Sequence, residues 1–341
     1  MNPAGYIGGE FCGADNAPFL SDCGDWARFF PERIGKAERA LYETGSDALA
    51  AILRIRAPRR IWVPDNFCMD SLHRARAKLT VDLEIGSYPG FLPLDGLAAE
   101  GDAILFLHFN APDPDTAGNA LNVAKRAGAF LIEDHAHTPL DIAAHRGDYA
   151  FTSLRKFACL DVAVAYGGGL PQPDAGNESE YHMLKHAASV CKSGFYVDPD
   201  PEAEKRYLAL YREAEISLAR GTRLVAAHPA EIGLLGQLDF QAMRDARQRN
   251  FTRLSKRFSS IGVALVAGEY AYGMARFGNR DSVRGYFFSR GIFPAIHWAD
   301  SGSAAGRELL SFHIDQRYSP AHMDRIADLM GDYISTVSSS P

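Results

Sequence analysis

The strongest constraint on the fold is an alternation of short apolar runs with helical patterns through the first half of the chain. Apolar runs at 60–63 (RIWV), 79–84 (LTVDLE), 103–107 (AILFL) and 127–132 (AGAFLI) are separated by helical patterns at 47–57, 69–78 and 115–126. A short run that is apolar at nearly every position fits a strand buried on both faces, the hallmark of parallel pairing. Strands alternating with helices predict an α/β fold with a mainly parallel sheet joined by right-handed crossovers.

The last of these runs ends in Glu133 and Asp134. Open α/β sheets bind ligands at the carboxyl ends of their strands. A carboxylate partly withdrawn from water there needs a cation or a hydrogen-bond donor. A protonated ring nitrogen on a ligand is one such partner. Lys156 lies 22 residues after Asp134, behind a further strand-like run (DYAFTS, 148–153) and ahead of Phe157, Ala158, Cys159 and Leu160. Apolar surroundings disfavour a charged amine, which frees it to attack a carbonyl. Upstream, Thr44-Gly45-Ser46-Asp47-Ala48-Leu49 opens a helical run. Its glycine permits a close turn, its serine can cap, and the first amides of a helix bind phosphate. Taken singly, each feature has an ordinary explanation: a capping acid, a solvated lysine, a capped helix start. Their order along one sheet edge points to a phosphorylated aldehyde ligand.

These segments resemble the DegT/DnrJ/StrS family of sugar aminotransferases, members of fold type I of the pyridoxal phosphate enzymes. The 44–49 segment resembles the family's Ser-Gly-Thr-x-Ala-Leu phosphate motif. Ile61-Trp62-Val63-Pro64-Asp65-Asn66-Phe67-Cys68 resembles its strand and loop over the cofactor ring. Phe106-Leu107-His108-Phe109-Asn110, Glu133-Asp134-His135-Ala136-His137 and Ser153 fall where the family has matching segments, and 312–318 extends the likeness to the C-terminal part. The order Ser153-Leu154-Arg155-Lys156, with no Gly-Glu-Gly-Gly run after it, is nearer to a divergent branch with Ser-x-Arg-Lys. Tyr6–Phe11 also resembles that branch, whereas Asp161-Val162 stands where it has Asp-Gly.

The resemblance implies a large α/β/α domain with a mainly parallel, seven-stranded-type sheet and a smaller C-terminal α+β domain over the cofactor mouth. It implies pyridoxal 5'-phosphate as cofactor. Lys156 would form the Schiff base and shuttle the Cα proton, and Asp134 would keep the pyridine nitrogen protonated. His137 would stand near the ring hydroxyl, where the family uses Gln or His. Ser153 and the backbone of Gly45 and Ser46 would hold the phosphate. Phe67 or Cys68 would lie on the ring face, Phe67 being the better stacking partner. The implied reaction is amino transfer between glutamate and a keto-sugar nucleotide or related small carbonyl, in a homodimer. Two alternatives stay open: a sugar dehydratase or eliminase using the same cofactor, and a non-catalytic protein on the same fold. A Rossmann nucleotide site is not supported, because no GxGxxG opens a helix after a strand.

Composition agrees with an enzyme of this kind. Of the 341 residues 47% are hydrophobic, enough for a sizeable core, and the net charge of −6 with no basic run argues against nucleic-acid binding. Five cysteines without CxxC spacing fit neither a disulfide framework nor a zinc site and point to a reducing compartment. The opening MNPAGYIGGEF lacks the basic and apolar regions of a signal peptide, and no apolar run approaches membrane-spanning length, so a cytoplasmic location is expected. The expected division is 1–240, with an N-terminal arm over 1–35, and 241–341. Helical material is expected over 181–219, 234–258, 282–289 and 320–335, and strands at 264–266, 272–277 and 292–297. Lesser candidates are Arg155 as an anion ligand or ion-pair partner, Arg223 or His228 toward a partner subunit's cofactor, and His297-Trp298 on the substrate side. Asp315-Gln316-Arg317 reads as a structural turn.

Overall fold

The computed structural model describes residues 5–89, 96–109, 114–171, 173, 178–266, 272–297 and 304–338. The chain forms two compact units: Phe11–Phe240, and Gln241–Pro341 together with Met1–Glu10.

The larger unit begins with two single-turn helices, α1 (Gly13–Asn16) and α2 (Trp26–Phe29), and a hairpin of β1 (Arg33–Ile34) and β2 (Ala37–Tyr42). Strands and helices then alternate: α3 (Gly45–Arg56), β3 (Arg60–Pro64), α4 (Met69–Arg76), β4 (Glu84–Tyr88), β5 (Ala103–Leu107), α5 (Pro114–Ala127), β6 (Phe130–Asp134), β7 (Tyr149–Phe151) and β8 (Ala163–Gly167). The helices α6 (Glu180–Val197), α7 (Pro201–Arg220) and α8 (Pro229–Leu235) follow.

One eight-stranded sheet runs in the order β1-β2-β8-β7-β6-β5-β3-β4. The neighbours from β4 through β3, β5 and β6 to β7 are all parallel, and β7–β8, β8–β2 and β2–β1 are antiparallel. The mainly parallel sheet is therefore present. Strands β5 and β6 are buried at every position, which is why β5 reads as an unbroken apolar run and β6 as one up to its terminal Glu133 and Asp134.

Register places the site. Leu107 pairs with Asp134, and Asp134 with Phe151, so β5, β6 and β7 end side by side. Two antiparallel steps bring β2 into the same direction as β7, and Tyr42 lies two pairs beyond the Phe151 row. The start of α3 thus emerges at the same edge as Asp134.

Several boundaries differ from the sequence expectation. β4 begins at Glu84, not at 79, because it is set by pairing with β3: Trp62 faces Gly86, where a side chain would collide with the indole. The helix expected over 234–258 is interrupted between α8 and α9 (Phe240–Ser259). The interruption turns Phe240 onto Phe29, Phe30 and Phe157, and Asp25 accepts the Phe240 amide at 2.8 Å. The stretch over 181–219 breaks at Asp200, which caps α7.

The smaller unit contains α9, β9 (Tyr272–Arg276), α10 (Arg280–Phe288), α11 (Ala304–Glu308), β10 (Leu309–His313) and α12 (Pro320–Ser338). β9 and β10 form an antiparallel pair. Phe258, Phe287 and Phe312 form its aromatic core with Met323, Ile326 and Met330 of α12. Stretches 264–266 and 292–297 do not form the expected strands. The first contributes one hydrogen bond, from the Val266 amide to the Met274 carbonyl, and the second two isolated bridges, Ile292 to Ile7 and Ala295 to Ser311.

Candidate active site

Asp134 closes β6 with its side chain buried. Its Oδ1 accepts the Ala136 amide at 2.7 Å. Burial pushes its pKa up, against the pull of the Lys156 charge, that backbone hydrogen bond and the His108 charge. Such an acid is stabilised by a cation brought to it.

Lys156 stands on the 3-10 turn Leu154–Lys156 that follows β7. Its Nζ lies 2.9 Å from His137 Nε2. His137 is buried, and the Phe109 ring meets its imidazole edge-to-face at 4.5 Å. Asp134, His137 and Lys156 therefore come together at the ends of β6 and β7.

The start of α3 lies against the same turn. Thr44 caps the helix, its Oγ1 accepting the Asp47 amide at 3.2 Å. Gly45 and Ser46 occupy the first two positions, whose amides have no partner within the helix. A Cβ on Gly45 would stand 3.3 Å from Ser153 Cβ, tighter than ordinary contact, and 3.7 Å from the Phe151 ring. Glycine thus lets the helix start close onto Ser153. Ser46 Oγ reaches Ser71 Oγ of α4 at 3.2 Å. Phe67 is buried just before α4, whereas Cys68 is exposed at its N-cap. This favours Phe67 over Cys68 as the apolar side of the loop.

This arrangement suits pyridoxal phosphate. A buried acid awaits a cation, an amine is held beside an imidazole, and a helix start is kept close by a glycine.

Other polar groups, whose roles the sequence left unassigned, support this edge. Glu133, one residue before Asp134, takes His108 Nε2 on Oε2 at 2.6 Å and the amides of Arg146 and Gly147 on Oε1. Burial opposes its ionisation, but the hydrogen bonds and charges of His108 and His135 outweigh that and hold it well below the usual carboxylate range. His135 stacks on His108 at 3.9 Å; burial first, then His108, push its pKa down to about 4. The signal for this trio was alternation: Glu133 and His135 flank Asp134 and so face away from it.

Beneath α3, Asp47 pairs with Lys78 at 3.2 Å, both fully buried, and Lys78 also donates to the Arg223 carbonyl at 3.0 Å. Arg155, beside the lysine, is engaged by Glu215 at 2.8 Å, which Arg74 also contacts at 3.0 Å. Arg155 is thus an ion-pair partner here. His228 caps α8 and stacks on His182 at 4.2 Å. In the smaller unit, Arg317 pairs with Asp315, as expected of a structural turn. His297 lies 4.9 Å from Tyr272, ring to ring, whereas Trp298 and Asn110 fall outside the described residues. No described helix is long and apolar enough to cross a membrane.

No family model matches the sequence, and no curated protein matches it. Solved structures do match, over nearly the whole chain. A DegT DnrJ EryC1 StrS aminotransferase from Brucella abortus shares 15% identity at a TM-score of 0.55, covering 95% of this chain and 91% of its own. The PLP-form of the putative sugar aminotransferase Spr1654 from Streptococcus pneumoniae shares 11% identity at a TM-score of 0.62, covering 97% and 99%. DesI, solved in the presence of its TDP-sugar product, shares 13% identity at a TM-score of 0.59, covering 96% and 93%. The chain has the fold of these proteins, the fold type I aminotransferase fold.

Proposed function

We propose that this protein is a pyridoxal phosphate-dependent aminotransferase that acts on a keto-sugar nucleotide or a related small carbonyl compound, with glutamate as amino donor. One observation carries the reading: the Lys156 amine, hydrogen-bonded to His137, sits beside buried Asp134 at the sheet edge where α3 begins. The fold shared with a PLP-form sugar aminotransferase and with DesI supports the substrate class.

Pyridoxal phosphate, when bound, supplies an aldehyde and a ring that accepts electrons once its nitrogen is protonated. The chain's own residues have separate tasks. Lys156 would offer the amine that holds the aldehyde and would carry a proton to and from the substrate's Cα. Asp134, disfavoured as a buried anion, would be stabilised by a cationic ring nitrogen and would keep that nitrogen protonated. Gly45 and Ser46 present backbone N–H groups to the phosphate, with Ser153 beside them. Phe67 supplies an apolar surface for the ring. We further propose a homodimer in the cytoplasm, on the strength of the family resemblance. Sedimentation of the purified protein tests the first, and a monomer at working concentrations argues against it.

The decisive test is the absorbance of purified protein mixed with pyridoxal phosphate, wild type beside Lys156→Ala. The expected outcome is a visible band in the wild type that borohydride locks onto the protein and that the variant lacks. Glutamate then shifts the band if the reaction is transamination. Indifference to glutamate moves the assignment to elimination on a sugar, and no band at any cofactor concentration leaves a non-catalytic protein.

A further inference from the structure

We propose that His137 is the base that removes a proton from Lys156, so that the amine can capture the aldehyde. This deepens the functional reading and rests on it.

The geometry is direct. A lysine ammonium has three donors and no acceptor, so a charged Lys156 makes His137 Nε2 the acceptor across their 2.9 Å contact. The imidazole then carries its own proton on Nδ1. In the transfer, an N–H bond at Nζ breaks and one at Nε2 forms, while the electron pair stays on Nζ. That pair is what adds to a carbonyl carbon. His137 is 6% exposed, and the edge-to-face Phe109 ring fixes its plane, so bulk water is a poor competitor as base. Asp134 also interacts electrostatically with Lys156 and His108: burial favours its neutral form, and whenever it is ionised its charge favours the protonated amine until another cation takes its place. His137 has no such conflict, being neutral before the transfer and cationic after it.

The resemblance admits glutamine or histidine at this position. Glutamine makes the same hydrogen bond but does not hold a second proton, so the relay belongs to chains with histidine. Its signature is a pH profile. With both groups protonated, no free amine exists. Once one proton has left the pair, a constant fraction resides as neutral amine with protonated imidazole. Capture therefore shows a plateau around neutral pH, which collapses as the imidazole gains its own proton. Without the imidazole, capture rises steadily with pH as lysine loses its proton unaided.

The test uses two aldehydes. Formaldehyde with cyanoborohydride labels Lys156 independently of pyridoxal phosphate and is counted by peptide mass spectrometry. Pyridoxal phosphate is followed by the rise of its absorbance band. Both rates are measured across pH for the wild type, His137→Gln and His137→Asn, with circular dichroism reporting the fold. The expected result is a neutral plateau in the wild type and a loss of about tenfold or more at pH 7 in His137→Gln, within the range of a general base. That gap should close at high pH. Equal rates and profiles in wild type and His137→Gln overturn the proposal, as does a wild-type profile with no plateau, a result that needs no variant. If the formaldehyde plateau appears but pyridoxal phosphate gives no band, the proton transfer stands and the cofactor reading falls.

Discussion

Two buried carboxylates close strands in the two units, and they are held in opposite ways. Asp315 follows β10 in the smaller unit. Arg317 grips both of its oxygens, at 2.8 and 2.9 Å, and its Oδ2 lies 3.5 Å from His313 Nδ1. Burial alone would favour its neutral form, but the charge and hydrogen bonds of Arg317, then His313 and Arg247, hold its pKa well below the usual range. Asp134 closes β6 in the larger unit with a backbone amide on one oxygen, and burial wins. Glu133, its sequence neighbour, resembles Asp315 rather than Asp134, because two histidines and two amides complete it. A carboxylate whose partners are already present holds the fold together. One that is buried and incompletely answered is available to a ligand.

The largest effect that tests this contrast is on stability. Asp315→Asn leaves Arg317 and the buried Arg247 without their anion, and should cost about 3–5 kcal/mol, read as a lower unfolding midpoint. Asp134→Asn should not lower the midpoint of the cofactor-free protein at all, since it removes an anion that burial already disfavours. Its cost should appear in turnover, as a fall of about 10² to 10³ in kcat from losing charge stabilisation at the ring nitrogen. Comparable stability losses in the two variants would dissolve the contrast.

The pH dependence has opposite signs in the two cases. Asp315 has a depressed folded pKa, so its contribution is complete above the unfolded value of about 3.9 and is lost as pH falls below it. Asp134 has a raised folded pKa, so stability is highest below the unfolded value and declines as pH rises toward the folded one. Unfolding free energies from pH 3 upward, measured without cofactor, should therefore show a smaller acid-side fall in Asp315→Asn, with Glu133 supplying part of what remains, and a smaller opposing decline in Asp134→Asn. A decline left unchanged in Asp134→Asn would show that its burial carries no such cost.

The sequence revealed the parts of this arrangement that lie in fully buried strands. β5 is apolar throughout and β6 is apolar up to its two terminal acids, so both strands and the acid at the end of β6 were legible without any knowledge of pairing. β2 was not, because AERALY alternates in burial beside the sheet's antiparallel edge, and its role is set by β8. β4 was displaced because Glu84 and Gly86 are poor strand formers that break the pattern around Ile85 and Tyr88, and the glycine answers the Trp62 ring across the pair. The break before Phe240 depends on three phenylalanines distant in sequence. At the site, residue types and chain order pointed to Asp134, Lys156 and Gly45. The contact between Lys156 and His137, the engagement of Arg155 by Glu215 and the buried Asp47–Lys78 pair depend on distances that no spacing rule encodes.

The smallest expected effect separates the phosphate seat from the rest of the helical framework. At Gly45 an added Cβ would stand 3.3 Å from Ser153 Cβ, so Ser153 or the first turn of α3 must yield by a few tenths of an ångström. At Gly194 on α6 an added Cβ meets nothing within 4 Å. Gly194→Ala should therefore stabilise the protein by about 0.5–1 kcal/mol through helix propensity and leave cofactor binding unchanged. Gly45→Ala has the same propensity gain working against the crowding, so its net effect on stability should be near zero. The displaced amides should nonetheless weaken cofactor affinity about three- to tenfold, roughly 0.7–1.4 kcal/mol, in a titration of the absorbance band. Equal affinity in Gly45→Ala and Gly194→Ala would mean that the start of α3 is an ordinary capped helix, and that the phosphate is held elsewhere.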